Sequence, residues 1–217
     1  TPRVFSGYSM GIFSALYASG SISFLRGLCL LYELNSLIDS LCADHKYGMA
    51  VSVGVEKEKM AVELAEVEGV DIVNDNAPGT LVLSGYAQGI EEVETWSDKL
   101  GMHFFKRLRT NKPYHSRHLR KGLEKWTAIV HSHRFADPEI PIISATSGEI
   151  LTNRWDCRDE ARLNFCSPFS WLNVLRMLKR WSIHDLYDCG LGGGMAKIGK
   201  YSGVVHRYHL PKLFIRE

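Results

Sequence analysis

Apolar and polar positions along this chain change period several times, and those changes mark out its elements. Residues 3–6 predict a short strand that ends in Gly7-Tyr8-Ser9-Met10-Gly11. A helical spacing of apolar residues follows through Ile12, Leu16 and Tyr17 and closes at Gly20. Ser23 is placed as the N-cap of a second helix running through Leu28, Leu31 and Ile38 towards Leu41.

The texture changes near Tyr47. Residues 48–54 predict a strand, and residues 57–67, rich in Glu, Ala and Lys, a helix. Two strands, 70–74 and 80–85, flank the turn-forming run Asp75-Asn76-Ala77-Pro78-Gly79. A helix over 90–100 and a strand over 102–108 complete the order βαββαβ, which is the ferredoxin-like pattern. Beyond it, Pro113-Tyr114-His115-Ser116 leads into an amphipathic helix over 117–130, a strand over 141–145, a helix over 170–179 and a late strand over 183–187. The expected class is therefore α/β, a hydrolase-like parallel-sheet core with an inserted ferredoxin-like subdomain. Residues 1–46 and 109–217 form the first part and 47–108 the second.

Composition narrows the partners. Lys+Arg 26 against Asp+Glu 24 leaves +2 over 217 residues, which predicts neither nucleic acid nor a membrane surface as partner. The most apolar stretch, residues 10–34, is broken by Ser14, Gly20, Arg26 and Glu33, short of a membrane span, and no basic segment opens a secretory signal. Five cysteines without a CxxC pair point to reduced thiols in a cytoplasm, not to a disulfide framework or a zinc ribbon. Gly192-Gly193-Gly194 is a turn, since no Lys-[Ser/Thr] follows to make a phosphate loop. The chain opens at Thr1 directly before a strand, as if entered midway.

The chemistry gathers at Gly7-x-Ser9-x-Gly11, the nucleophile-elbow spacing. The turn is tight enough to need glycine on either side, and it presents the serine at a helix N-terminus, where N–H groups can meet an oxyanion. An ordinary strand–turn–helix connection has the same five-residue pattern. A serine hydroxyl also needs a base. Of nine histidines, His115 stands out because Pro113 and Tyr114 fix the loop before it, whereas His118, His131 and His133 fit solvated helix positions.

Six blocks in order resemble the malonyl-CoA:acyl-carrier-protein transacylases and the acyltransferase domains of polyketide synthases. The elbow, with Phe13-Ser14-Ala15-Leu16 and Ala18-x-Gly20, resembles their GHSxGE-YSAL-AG. Gly48-Met49-Ala50, Asn74-x-Asn76-Ala77-Pro78-Gly79, Pro113-Tyr114-His115-Ser116, Leu163-Asn164-Phe165-Cys166-Ser167-Pro168 and Asp188-Cys189-Gly190-Leu191-Gly192 resemble the blocks that follow. The resemblance implies Ser9 as nucleophile, His115 as general base, the Asn164 carbonyl as the group that orients it, and the Met10 N–H as an oxyanion donor. It implies substrate contacts from Leu34, Tyr114, Asn76 and Tyr8. It implies acyl transfer from a coenzyme A thioester, as substrate, to the phosphopantetheine thiol of an acyl carrier protein, with no bound cofactor and no metal. Departures are visible too. The G-Q-G strand is missing, Leu34 stands where the gapless count from Ser9 places the malonyl-binding arginine, and Tyr8 and Ile12 replace a His and a Glu. The acyl group is then malonyl or an uncharged chain. Thioester hydrolysis by the same pair and a non-catalytic remnant are the alternatives.

Overall fold

The computed structural model describes residues 1–204 and 206–211. Strand β1 (Phe5–Ser6) turns sharply into α1 (Gly11–Ala18), which is followed by α2 (Phe24–Leu41). Next come β2 (Tyr47–Val53), α3 (Lys57–Leu64), β3 (Val70–Ala77), β4 (Thr80–Tyr86), α4 (Ala87–Thr95), α5 (Ser97–Leu100) and β5 (Phe104–Arg107). A 3₁₀ turn, Arg117–Gly122, opens α6 (Leu123–Ser132). Strands β6 (Ile142–Ile143) and β7 (Ile150–Leu151) precede α7 (Arg154–Leu163), β8 (Phe169–Ser170) and α8 (Trp171–Arg180). The described part ends with β9 (Asp185–Tyr187), α9 (Gly194–Gly199) and β10 (Arg207–His209).

Two sheets position the site. In the first, β1 runs parallel to β6, which pairs antiparallel with β7. The second has the order β5-β2-β4-β3-β8, antiparallel except where β8 joins β3 in parallel. The βαββαβ segment supplies four of those strands, and β8 arrives from outside it, so the sheet is shared with the rest of the chain. Each segment has its own core. Ile12, Phe13, Leu16, Leu34, Trp126 and Phe165 belong to the larger one, while Ala50, Met60, Leu81, Leu83, Ile90 and Val93 fill the space under the second sheet. Trp126 is fully buried and still satisfies its indole by donating to the Ala161 carbonyl at 3.0 Å.

The second helix begins where Ser23 predicts, with the serine side chain accepting from the Arg26 N–H. Its buried face differs from the one read in the sequence. Leu28 is 48% exposed, and Gly27, Leu30, Leu34, Leu37 and Ile38 face inward. The helix carries leucines and aromatics on both sides, so spacing alone does not select a face. The stretch after residue 145, which carries no sequence prediction until residue 170, contains β7, α7 and β8. Helix α7 is polar, burying only Cys157, Glu160 and Ala161, and it starts because Asn153 caps the N–H groups of Trp155 and Asp156. The helix expected over 90–100 begins at Ala87 and breaks at Trp96.

Candidate active site

Ser9 sits between β1 and α1 at φ 53°, a left-handed conformation uncommon outside glycine. The turn is fixed on both sides. Ser6 donates its hydroxyl to the Ile143 carbonyl at 2.9 Å, and the Gly11 N–H reaches the Tyr8 carbonyl at 2.8 Å. A Cβ at Gly7 would collide with the backbone of Gly11 and Ile12, so only glycine lets the strand pass so close to the helix. Met10 follows Ser9 as the residue that caps α1, and its side chain is exposed. The first-turn N–H groups of α1 thus lie next to the serine hydroxyl.

His115 reaches this hydroxyl from 106 residues further along. Its Nε2 lies 2.7 Å from Ser9 Oγ. The histidine is itself left-handed, at φ 62°. Two strained residues that meet through their side chains mark a place where the fold over-determines the backbone. His115 is only 5% exposed, and the ring of Phe169 packs edge-on to it at 4.8 Å. Burial pulls its pKa down from 6.5 to about 4, against a smaller opposing pull from the carbonyls of Asn164 and Ser167. The imidazole is therefore neutral at pH 7. Its Nδ1 is buried and makes no hydrogen bond of regular geometry, so those two carbonyls act on the ring by proximity.

Asn164 does more than the sequence implies. While its carbonyl faces the His115 ring, its side chain Nδ2 donates to the Ser9 carbonyl at 3.3 Å. One residue at the end of α7 thus touches both halves of the pair. Tyr8, beside the serine, packs edge-on against Phe169 at 5.1 Å and Trp171 at 5.7 Å. Burial raises its phenol pKa, and the Asn76 and Asn74 amides oppose that. Asn74 Nδ2 donates both to the Tyr8 hydroxyl at 2.5 Å and to Asn76 Oδ1 at 2.7 Å. The sequence signal for Asn74 was the N-x-N spacing, which sets two amides on one side of a strand.

Ser9, Met10, His115, Asn164, Tyr8 and Asn76 therefore come together. Leu34 and Tyr114 lie further back. Leu34 is 4% exposed inside the larger core, and Tyr114 packs between that core and the Met49–Val73–Val82 cluster. A cavity of about 320 Å³ opens against His115, lined also by Asp71, Ile72, Arg117, Arg120, Cys166 and Pro168. Neither Ser9 nor Leu34 lines it, so it is not the expected acyl pocket. Arg26 and Arg109 are exposed and do not line it either. Among the described residues no cluster of His, Cys, Asp and Glu could hold a metal ion, and no helix is long and apolar enough to cross a membrane.

A left-handed serine at a strand–helix turn, bonded to a buried neutral histidine, defines a serine–histidine nucleophile-elbow site on an α/β fold. Known proteins narrow that class. No protein-family model matches the chain. It is 28% identical over 197 residues to the polyketide biosynthesis protein ThaF of Burkholderia thailandensis, covering 88% of this chain and 16% of that one. It is 25% identical over 196 residues to the malonyl CoA-acyl carrier protein transacylase of Bacillus subtilis, covering 88% and 62%. The polyketide biosynthesis malonyl CoA-acyl carrier protein transacylase PksC of the same organism is 32% identical over 146 residues, covering 66% and 50%. The chain thus spans less than two thirds of the length of each of these relatives. Among solved structures, a malonyl-transacylase in complex with its type II polyketide synthase acyl-carrier protein superposes with TM-score 0.91 at 20% identity, covering 97% of this chain and 69% of that one. The malonyl-CoA:acyl carrier protein transacylase of Helicobacter pylori gives 0.88 at 20% identity, covering 95% and 66%. These relatives are a polyketide biosynthesis protein and two malonyl CoA-acyl carrier protein transacylases, and the chain's fold is that of the malonyl-transacylases it superposes on.

Proposed function

We propose that the chain carries the site of an acyltransferase that moves a short acyl group from coenzyme A to the phosphopantetheine thiol of an acyl carrier protein. The observation behind this reading is the 2.7 Å approach of His115 Nε2 to Ser9 Oγ on a left-handed elbow. In the first half-reaction Nε2 takes the hydroxyl proton as Oγ attacks the thioester carbonyl. The oxyanion forms at the start of α1, where the Met10 N–H is a donor. Collapse releases coenzyme A, whose sulfur takes the proton back from His115 and leaves acyl-Ser9. In the second half-reaction the carrier thiol gives its proton to His115 and attacks the ester. Ser9 is reprotonated as it leaves.

The third member of the site is a carbonyl, from Asn164, and not a carboxylate. It turns the ring without placing a full negative charge beside the imidazolium that forms. The coenzyme A thioester is a substrate here, and no cofactor enters a step. Position 34 holds a buried leucine, so no guanidinium stands there to pair a malonyl carboxylate. An uncharged chain is then accepted at least as well as malonyl. A cytoplasmic setting, in which the five free cysteines stay reduced, belongs to the same reading. Incubation with acyl-CoA and intact-mass spectrometry tests it. One acyl adduct is expected on the wild type and none on Ser9→Ala, and an adduct that persists on Ser9→Ala overturns the assignment.

A further inference from the structure

The turn that carries His115 is held from outside by Gly69, just before β3, and by Asp71 within it. Asp71 accepts from the Arg117 backbone N–H through Oδ2 at 2.8 Å and from the Arg117 Nε through Oδ1 at 2.6 Å, and the same two side chains form an ion pair. One residue further on, His118 Nε2 donates to the Gly69 carbonyl at 2.7 Å. Inside the turn, Ser116 donates its hydroxyl to the Pro113 carbonyl at 2.7 Å. That local bond closes the turn but ties it to nothing else. The bonds from Gly69 and Asp71 are the ones that fix the segment after a left-handed His115 against the second sheet. Of the two Asp71 contacts, the one to the backbone carries the position. The Arg117 side chain is 60% exposed, where ion pairs contribute little, whereas a backbone N–H bonded to a carboxylate is charge-assisted.

We propose that Asp71 is a positioning residue for the base: by gripping the Arg117 backbone it keeps His115 Nε2 at Ser9 Oγ. The proposal rests on the Ser9–His115 reading above. Asp71 does not touch the reacting atoms. Around His115 the charged and titratable groups are Asp71 from β3, Arg117 and Arg120 from the 3₁₀ turn and Cys166 from the segment after α7. The elbow contributes the neutral Ser9 hydroxyl and the Tyr8 phenol, which burial keeps protonated, and β8 contributes the Phe169 ring.

Single-turnover acylation by acyl-CoA across a pH series tests this on the whole chain. Asp71→Ala is expected to lower the acylation rate constant about tenfold or more, since a shift near 1 Å can cost up to about 10²-fold, with little change in KM. Its acid limb is expected to move to higher pH as the imidazole regains water. Arg117→Ala keeps the backbone bond and should lose less than about threefold, as an exposed ion pair contributes little. Asp71→Asn keeps an acceptor oxygen and should recover most of the rate. Asp71→Glu keeps the charge but moves the acceptor by one methylene, and is expected to show the same loss if Asp71→Ala does not fold. Wild-type rates and an unmoved acid limb in Asp71→Ala or Asp71→Glu, beside an inactive His115→Ala, would overturn this proposal alone. An active His115→Ala would remove the base assignment, and this proposal with it.

Discussion

Lowering the pH perturbs one group at this site far more than its neighbours. His115 loses its proton near pH 4 because it is buried against Phe169, where an exposed histidine would do so at 6.5. At pH 5 a group with the lower value is about nine-tenths neutral, and one with the ordinary value only about one part in thirty. Relative to pH 7, acylation of Ser9 at pH 5 should therefore keep most of its rate. An unperturbed base would lose about twentyfold. Rapid-quench mixing with acyl-CoA, read by intact mass between pH 4.5 and 8, measures this in one turnover, before carrier-protein chemistry enters. Circular dichroism at each pH confirms that the fold persists. A rate that halves near pH 6.5 would refute the reasoning, because the base would then be hydrated. The same burial has a consequence for stability. The folded value lies below the unfolded one, so the unfolded chain takes up the proton first as the pH falls. The contribution of His115 is complete above pH 6.5 and is lost on the way down to about pH 4, by up to about 3 kcal/mol. Urea unfolding at pH 7 and 4.5 should show a smaller drop for His115→Gln than for the wild type.

Three further outcomes follow from particular contacts. Asn164→Ala keeps the backbone carbonyl but loses the 3.3 Å bond to the Ser9 carbonyl, so acylation should slow by about three- to tenfold, near the worth of one hydrogen bond, in stopped-flow assays. Gly7→Ala forces a methyl into the Gly11–Ile12 backbone and should cost about 2–4 kcal/mol in denaturant unfolding, with unchanged stability ruling out the tight elbow. Malonyl-CoA should load no better than acetyl-CoA, because Leu34 is buried in the larger core and brings no cation to the acyl group, and Leu34→Arg should destabilise the fold in denaturant unfolding by burying a guanidinium there. A strong wild-type preference for malonyl would mean that a different cation serves the acyl group, with Arg120 the first to replace.

The parts of the fold that were legible in the sequence are those whose signal is local. The elbow shows in GxSxG through Gly7, where a Cβ would strike the backbone, although at Gly11, which was also expected to need glycine, a Cβ would meet nothing. The βαββαβ run shows as alternating periods punctuated by Pro78-Gly79. The cap at Ser23 was equally local. What failed was decided by partners distant in the chain. The inward face of α2 depends on Trp126 and Phe165, not on the spacing of its own leucines. Helix α7 looks like a polar loop because only one narrow side of it is buried. At the site, Ser9 and His115 could be named from motifs, and Asn164 was named for its carbonyl. The Asn164 side-chain bond to Ser9, the Phe169 ring on His115 and the Asp71 grip on the following turn join residues far apart in the chain, 46 positions for Asp71 and Arg117 and 155 for Asn164 and Ser9, in ways that no spacing records. Leu34 was placed by a gapless count from Ser9, and the structure sets it inside the core without an edge on the cavity beside His115.

The central claim is that the acyl group passes through Ser9 to a carrier thiol. Its most direct test is the lifetime of the isolated acyl-enzyme, followed by intact mass with and without holo carrier protein. The expected result is an acyl-Ser9 ester that persists in buffer and discharges quickly on addition of the holo carrier, with the acyl mass appearing on the carrier. An ester that decays at the same rate with and without carrier, its acyl group released as free acid, would contradict the account.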